Sequence, residues 1–270
     1  MSGTLVRIIS AAVAVLLVIF AYKFYAALGL LAVASFVVFG MQAEFVKIMF
    51  TKTNFRYLGY LFFLFAAIAF LIGIFKVQAL PLLSDMVFIL SVFTVFVASK
   101  DKDIEELLES FFKTSLGVVY AVILPVLAVS PLSQVRGENF FFTLLSVVFA
   151  GDAAAYFTGK YLGKKKLWEA VSPKKTWAGA LGGLVGSVVA GLIAHHFWLP
   201  HIGLETIIPA SFLTGMLGQT GDLFESLLKR IAGVKDSGQI MPGHGGFMDR
   251  VDGVVFGAPI IYALSQFFPF

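Results

Sequence analysis

Nine windows of mostly apolar residues divide this chain, at roughly 5–22, 26–46, 57–75, 80–98, 116–131, 140–157, 178–199, 207–228 and 253–269. Each is close to the ~20 residues that a helix needs to cross a bilayer. The pattern predicts an all-α fold, a polytopic integral membrane helical bundle with about nine transmembrane helices. The windows at 80–98, with Pro81 and Asp85 near one end, and at 140–157, which stops at Asp152, are the least regular. Composition agrees: 59% of residues are hydrophobic and 13% charged, against about 45–50% and about 25% in soluble domains.

An odd number of spans puts the termini on opposite sides, and Lys and Arg choose the side. All of the 20 Lys and Arg except Lys23, Lys76 and Arg136 fall on one face of this topology. The N-terminus and the charged loops are therefore expected in the cytoplasm. Arg7 ahead of an apolar run, with Ala26 and Ala27 behind it, also has the form of a signal peptide, but the chain simply continues into further spans. With no cysteine there is no disulfide framework and no thiolate metal site. The pI of about 9.2 follows from the same cytoplasmic excess of Lys and Arg. It points to anionic lipid headgroups or a polyphosphate as partners, and not to nucleic acid.

The first five windows read as scaffold. Glu44 and Lys47, three residues apart at the end of the second, are expected to form a local ion pair, and Asp85 to reach water at the outer end of the fourth. Residues 101–113 space Ile104, Leu107, Leu108, Phe111 and Phe112 as one face of an interfacial helix. Glycines at 179, 182, 183, 186 and 191 in the seventh window allow close helix approach. Their partner is expected to be the eighth window, with Gly215, Gly218 and Gly221, or a second copy of the chain in a homodimer. His195, His196 and His201 fall on the outer side and read as a solvated patch, not a metal cluster.

Charge concentrates instead in residues 218–252. Asp222, Glu225, Ser226 and Lys229 share one face if the eighth window is helical. Pro242, Gly243, Gly245 and Gly246 surround His244 in a run that cannot continue a helix and that lets backbone N–H groups converge on an anion. Asp249, Arg250 and Asp252 close the loop before the last window. Upstream, Ser172-Pro173-Lys174-Lys175-Thr176-Trp177 presents two Lys beside hydroxyls on a stiffened turn, a form suited to phosphate oxygens. Carboxylates at 152, 222, 249 and 252, with no Cys, suit a hard cation such as Mg²⁺. Lys174, Lys175, Lys229, Arg230 and Arg250 supply the charge for a polyphosphate.

The run Ser226-x-x-Lys229-Arg230, then Lys235-Asp236, then Pro242-Gly-His244-Gly-Gly and Asp249-Arg250-Val251-Asp252 resembles the signature of the phosphatidate cytidylyltransferases. The SPKKTW segment resembles a second motif of the same family, except that Ala178 stands where an acidic residue is usual. The resemblance implies transfer of a cytidylyl group from CTP to phosphatidic acid in the cytoplasmic face of a cell membrane. It implies Asp222 and Asp249 as metal ligands, with Asp152 and Asp252 added or in an outer shell. Lys229, Arg230 and Arg250 would act on the reacting phosphates, and Ser172, Lys174, Lys175, Thr176, Ser226, Lys235, His244, Gly245 and Gly246 would bind substrate. On this reading 1–270 is a single membrane domain, with scaffold spans over 1–131 and catalytic spans and loops over 140–270. A CTP-dependent kinase of a long-chain alcohol, which would need a base for a hydroxyl, and an ion or nucleotide transporter are the rival readings. The transporter is disfavoured by charge confined to one face and by the lack of an inverted repeat.

Overall fold

The computed structural model describes residues 3–50, 56–98, 104–238 and 245–270. Among the described residues the fold is helical apart from one small two-stranded hairpin, as an all-α membrane protein requires. Five described helical stretches are long and apolar enough to cross a membrane: Val15–Phe50, Tyr57–Phe75, Ile104–Ser133, Gly137–Leu162 and Trp177–Phe197. Contacts group the residues into two compact units, Met1–Ser130 with Val234–Asp249, and Pro131–Gly233 with Arg250–Phe270.

In the first unit, α1 covers Gly3–Phe50 but is divided at Ala26, whose φ of 49° and ψ of −134° are not helical. The helix resumes so abruptly that a Cβ on Gly29 would stand 2.2 Å from the Ala21 carbonyl oxygen, so only glycine passes there. α2 is Arg56–Phe75 and α3 Leu80–Ala98. α4, Ile104–Gly117, runs through a wider turn at Val118–Ile123 into α5, Leu124–Val129. The expected interfacial helix and fifth span are thus one continuous run. Its expected apolar face is split, with Leu107 and Phe111 half-buried. Ile104, Leu108 and Phe112 are exposed, and Ser110, Thr114 and Gly117 are buried. In lipid, outward apolar side chains lose nothing, and small residues let helices approach. A Cβ on Gly117 would meet the Phe62 and Phe45 rings within 3 Å.

The wide turn has an identifiable cause. Pro125 lacks the N–H that would donate to Ala121 O, and its ring crowds that carbonyl. Leu124 N donates instead to Val119 O, five residues back, and the Gln42 side-chain amide of α1 donates to Ala121 O at 2.8 Å.

The second unit contains α6 (Gly137–Leu162), a hairpin of β1 (Lys166–Trp168) and β2 (Ser172–Thr176), α7 (Trp177–Phe197) and α8 (Leu204–Ala232). α9 is Met248–Phe267. The strands are antiparallel, pairing Lys166 with Thr176 and Trp168 with Ser172. Thr176 ends β2 and caps α7, its hydroxyl accepting from Gly179 N at 3.1 Å, which stops the strand and starts the helix at one residue. α8 ends at Gly233, whose φ of 70° is left-handed and whose N–H turns back to Arg230 O.

The seventh-window glycines meet chiefly α6, which the sequence reading did not name, and also the expected eighth window, α8. A Cβ on Gly182 would strike Thr158, one on Gly186 would stand 2.4 Å from Ala154 Cβ, and one on Gly179 would lie 2.9 Å from Ala155 O. α8 enters at fewer points, with Gly191 against Ser211 and Gly215 against Ser187. The three His have local partners: His195 Nδ1 lies 3.0 Å from Leu199 O, His201 Nε2 3.2 Å from Phe268 O, and the His196 ring packs edge-on against Phe197.

Candidate functional site

Two clusters of polar residues stand out, one in each unit. In the second, the polar face of α8 forms as its spacing predicts. Glu225 is buried and pairs with Lys229 at 2.5 Å, one turn on, the favourable order along a helix. Asp222 Oδ2 lies 2.7 Å from Lys175 Nζ, which joins the SPKKTW strand to α8. Gln219 reinforces that junction, its amide donating to Ala180 O at 3.0 Å in the first turn of α7. Arg230 Nε donates to Val171 O at 3.4 Å and so holds the hairpin turn.

Asp152 of α6 lies within electrostatic reach of Asp222, Lys175 and Arg250, and Asp252 of α9 within reach of Asp222, Asp152 and Lys229. Helix α9 can come this close because α8 presents glycine to it. A Cβ on Gly221 would stand 2.5 Å from Asp252 O. Three carboxylates and three cations from four elements thus form one mixed group. The Asp222 and Lys175 side chains remain 41% and 23% exposed. An ion pair that open is worth only about 0–1 kcal/mol, so a phosphate or a cation can displace it at little cost.

In the first unit, the signature turn is built around two carboxylates. Asp249 is in the first turn of α9, and not in a loop as expected; Arg250 and Asp252 follow on the same helix. Asp249 Oδ2 accepts from Ser237 N at 2.9 Å, Ser237 Oγ at 2.8 Å and Gly246 N at 2.8 Å. Glu44 is buried and accepts from Phe247 N at 3.0 Å and Met248 N at 2.9 Å, and it lies 2.7 Å from Ser237 Oγ, whose single proton it shares with Asp249. The expected role of Glu44, a local pair with Lys47, is thus replaced by a contact some 200 residues along the chain. The glycines follow from these carboxylates. A Cβ on Gly246 would stand 2.2 Å from Glu44 Oε2, and Gly245 has φ of 81° with Asp249 Oδ2 2.5 Å from its Cβ position.

Residues 5–268 match the family described as the Cytidylyltransferase family. The chain belongs to that family. Among relatives of this chain are the phosphatidate cytidylyltransferase of Brucella suis biovar 1, 44% identical over 142 residues, and that of Staphylococcus saprophyticus, 42% identical over 135. That of Bacillus subtilis is 43% identical over 135 residues. These alignments cover 51%, 49% and 49% of this chain and 52%, 52% and 49% of the relatives. The chain therefore spans about half the length of the curated relatives it matches.

Of the residues expected at the site, Asp152, Asp222, Asp252, Lys175, Lys229 and Arg250 are gathered in the second unit. Lys174 is exposed, Ser172 and Ser226 are half-buried, and Thr176 is occupied in capping α7. Lys235 is exposed, and His244 lies outside the described residues with Pro242 and Gly243. Sequence reasoning missed Gln219, Ser237 and the role of Glu44. Only Glu44 carried a signal, as an ionisable residue in an apolar helix. No three His, Asp or Glu side chains among the described residues stand ready around one point as a metal cage. The all-oxygen donor set still fits Mg²⁺, which is commonly held by one or two carboxylates and completed by water and substrate phosphates.

Proposed function

We propose that this protein is a phosphatidate cytidylyltransferase that converts CTP and phosphatidic acid to CDP-diacylglycerol and pyrophosphate. The observation that carries the reading is the solvent-reachable Asp222–Lys175 pair inside the mixed group of Asp152, Asp252, Lys229 and Arg250. A lipid phosphate oxygen attacks the α-phosphorus of CTP, a new P–O bond forms, and the bond to the bridging oxygen breaks with its electron pair leaving on pyrophosphate. The nucleophile is already ionised, so the task is to bring two anions together. Lys175, Lys229 and Arg250 do this by neutralising phosphate charge as it shifts to the leaving group. Arg230, with Lys174, Ser172 and Ser226, extends the phosphate-binding surface; a role for Lys235 rests on the resemblance. Asp222, with Asp152 or Asp252 as an additional or outer-shell group, would hold Mg²⁺, which when bound supplies charge neutralisation and orientation of the phosphates. Asp249, with one oxygen committed to three donors, shapes the turn; its role as a ligand rests on the resemblance.

The topology proposed with this reading is nine spans in one membrane domain, in a bacterial cell membrane, with the N-terminus and the site on the cytoplasmic side. It rests on the Lys and Arg asymmetry. A homodimer through the glycine-rich spans belongs to the same reading. The test is to incubate the purified protein in lipid with phosphatidic acid and CTP labelled at either the α- or the γ-phosphate. α-Label in the lipid phase supports cytidylyl transfer, γ-label would mean a lipid kinase, and no label would refute both.

A further inference from the structure

Glu44 lies in an apolar helix, its burial is nearly complete at 5% exposure, and the mechanism above does not use it. Both of its carboxylate oxygens are nevertheless engaged, and every partner belongs to the signature turn. Oε1 accepts from Phe247 N, and Oε2 accepts from Met248 N and lies 2.7 Å from Ser237 Oγ. That same hydroxyl lies 2.8 Å from Asp249 Oδ2. Ser237 therefore links the two carboxylates through one oxygen. Phe247 N and Met248 N are among the first N–H groups of α9, which have no acceptor within the helix. Phe247 also closes over Gly40 on the same helix as Glu44; a Cβ on Gly40 would overlap its ring at 2.1 Å.

We propose that Glu44 is a positioning residue for the signature turn: by accepting from Phe247, Met248 and Ser237 it fixes the Gly245–Gly246 turn and the start of α9, and thereby the direction in which Asp249 is presented. The proposal rests on the reading of the site as a cytidylyltransferase centre, and it assigns Glu44 no contact with substrate. The need is for two acceptor oxygens at one place, not for side-chain volume. Gln keeps the volume but turns one acceptor into a donor facing N–H groups, whereas Asp is shorter but keeps both acceptors.

The experiment compares wild type, Glu44→Gln and Glu44→Asp by amide hydrogen exchange over residues 245–250 and by turnover of CTP with phosphatidic acid. In Glu44→Gln the amides of Phe247 and Met248 should exchange about tenfold faster or more, and turnover should fall by about tenfold or more. Glu44→Asp should lie closer to wild type in both. A residue that merely fills space would give the opposite order, so Gln equal to or better than Asp would overturn the proposal. Unchanged exchange at Phe247 and Met248, or lost protection with full turnover, would also overturn it. Should Glu44→Gln fail to fold, Ser237→Ala removes only the shared hydroxyl; exchange at Gly246–Met248 should quicken severalfold, and no change there would count against the clamp. A wild type that puts no label into lipid would refute the reading of the site, while the exchange data alone would still decide the clamp.

Discussion

Replacing Gly186 with Ala tests whether the interface between α6 and α7 sets the geometry of the carboxylate group. The added Cβ would stand 2.4 Å from Ala154 Cβ and 3.1 Å from Ala150 O. Ordinary carbon contacts are about 3.5–4.0 Å, so the helices must part by about 1.1–1.6 Å. Neither neighbour is the tip of a flexible side chain that could turn away. Overpacking of this kind costs roughly 1–3 kcal/mol, or about 2–12 °C in thermal midpoint at roughly 2–4 °C per kcal/mol. The larger effect falls on chemistry, because α6 carries Asp152 and α8, which packs on α7, carries Asp222. A shift of about 1 Å in reacting groups can cost about 10²-fold in rate. Gly218→Ala is the control, since its Cβ would meet only ordinary contacts, 3.4 Å from Gly253 O and 3.6 Å from Val148. Thermal midpoints in detergent and turnover of CTP with phosphatidic acid should separate the two variants. Equal behaviour of Gly186→Ala and Gly218→Ala would refute the argument that contact at Gly186 governs the site.

Asp222→Asn keeps size and removes charge, and should lower turnover by roughly 10³ or more while the thermal midpoint stays near wild type; turnover close to wild type would remove Asp222 from the site. Lys175→Gln deletes a charged donor worth roughly 1.5–3 kcal/mol and should lower kcat/KM for CTP by roughly 10- to 100-fold, measured by steady-state kinetics with phosphatidic acid saturating. Gln42→Leu strips Ala121 O of its donor and should destabilise by roughly 1–3 kcal/mol. Adding Pro125→Ala restores an N–H at that carbonyl, so the double variant should recover part of the loss in a thermal double-mutant cycle, and strict additivity would refute the pairing.

Much of the fold was legible because apolar length is a strong signal. The windows at 57–75, 80–98 and 178–199 coincide closely with Arg56–Phe75, Leu80–Ala98 and Trp177–Phe197. Boundaries failed where charge misled. Asp249 and Arg250 read as loop, yet they begin α9, because a helix start tolerates acids and its free N–H groups attract them. The hairpin 166–176 was missed because three- and five-residue strands leave no periodicity to find, and SPKKTW was legible only as chemistry. Within the site, Asp222 and Lys229 could be placed from helical spacing, whereas the Lys175–Asp222 pair depends on how β2 meets α8. Glu44 was misread because Lys47 is its neighbour in sequence, while its partners at 237, 247 and 248 are brought to it only by folding.

The burial of the small residues of α4 changes which of its positions tolerate substitution. A soluble amphipathic helix is intolerant at its large apolar positions and permissive at its small polar ones. Here Ile104, Leu108 and Phe112 are mostly exposed, so an apolar replacement there disturbs few protein contacts. Ser110 and Thr114 are 0% and 4% exposed, and the Thr114 hydroxyl is returned to Ser110 O at 2.8 Å. At those positions even one added methylene has nowhere to go. Variation along this helix should therefore be broad at its greasiest residues and narrow at its smallest, with Gly117 the narrowest of all.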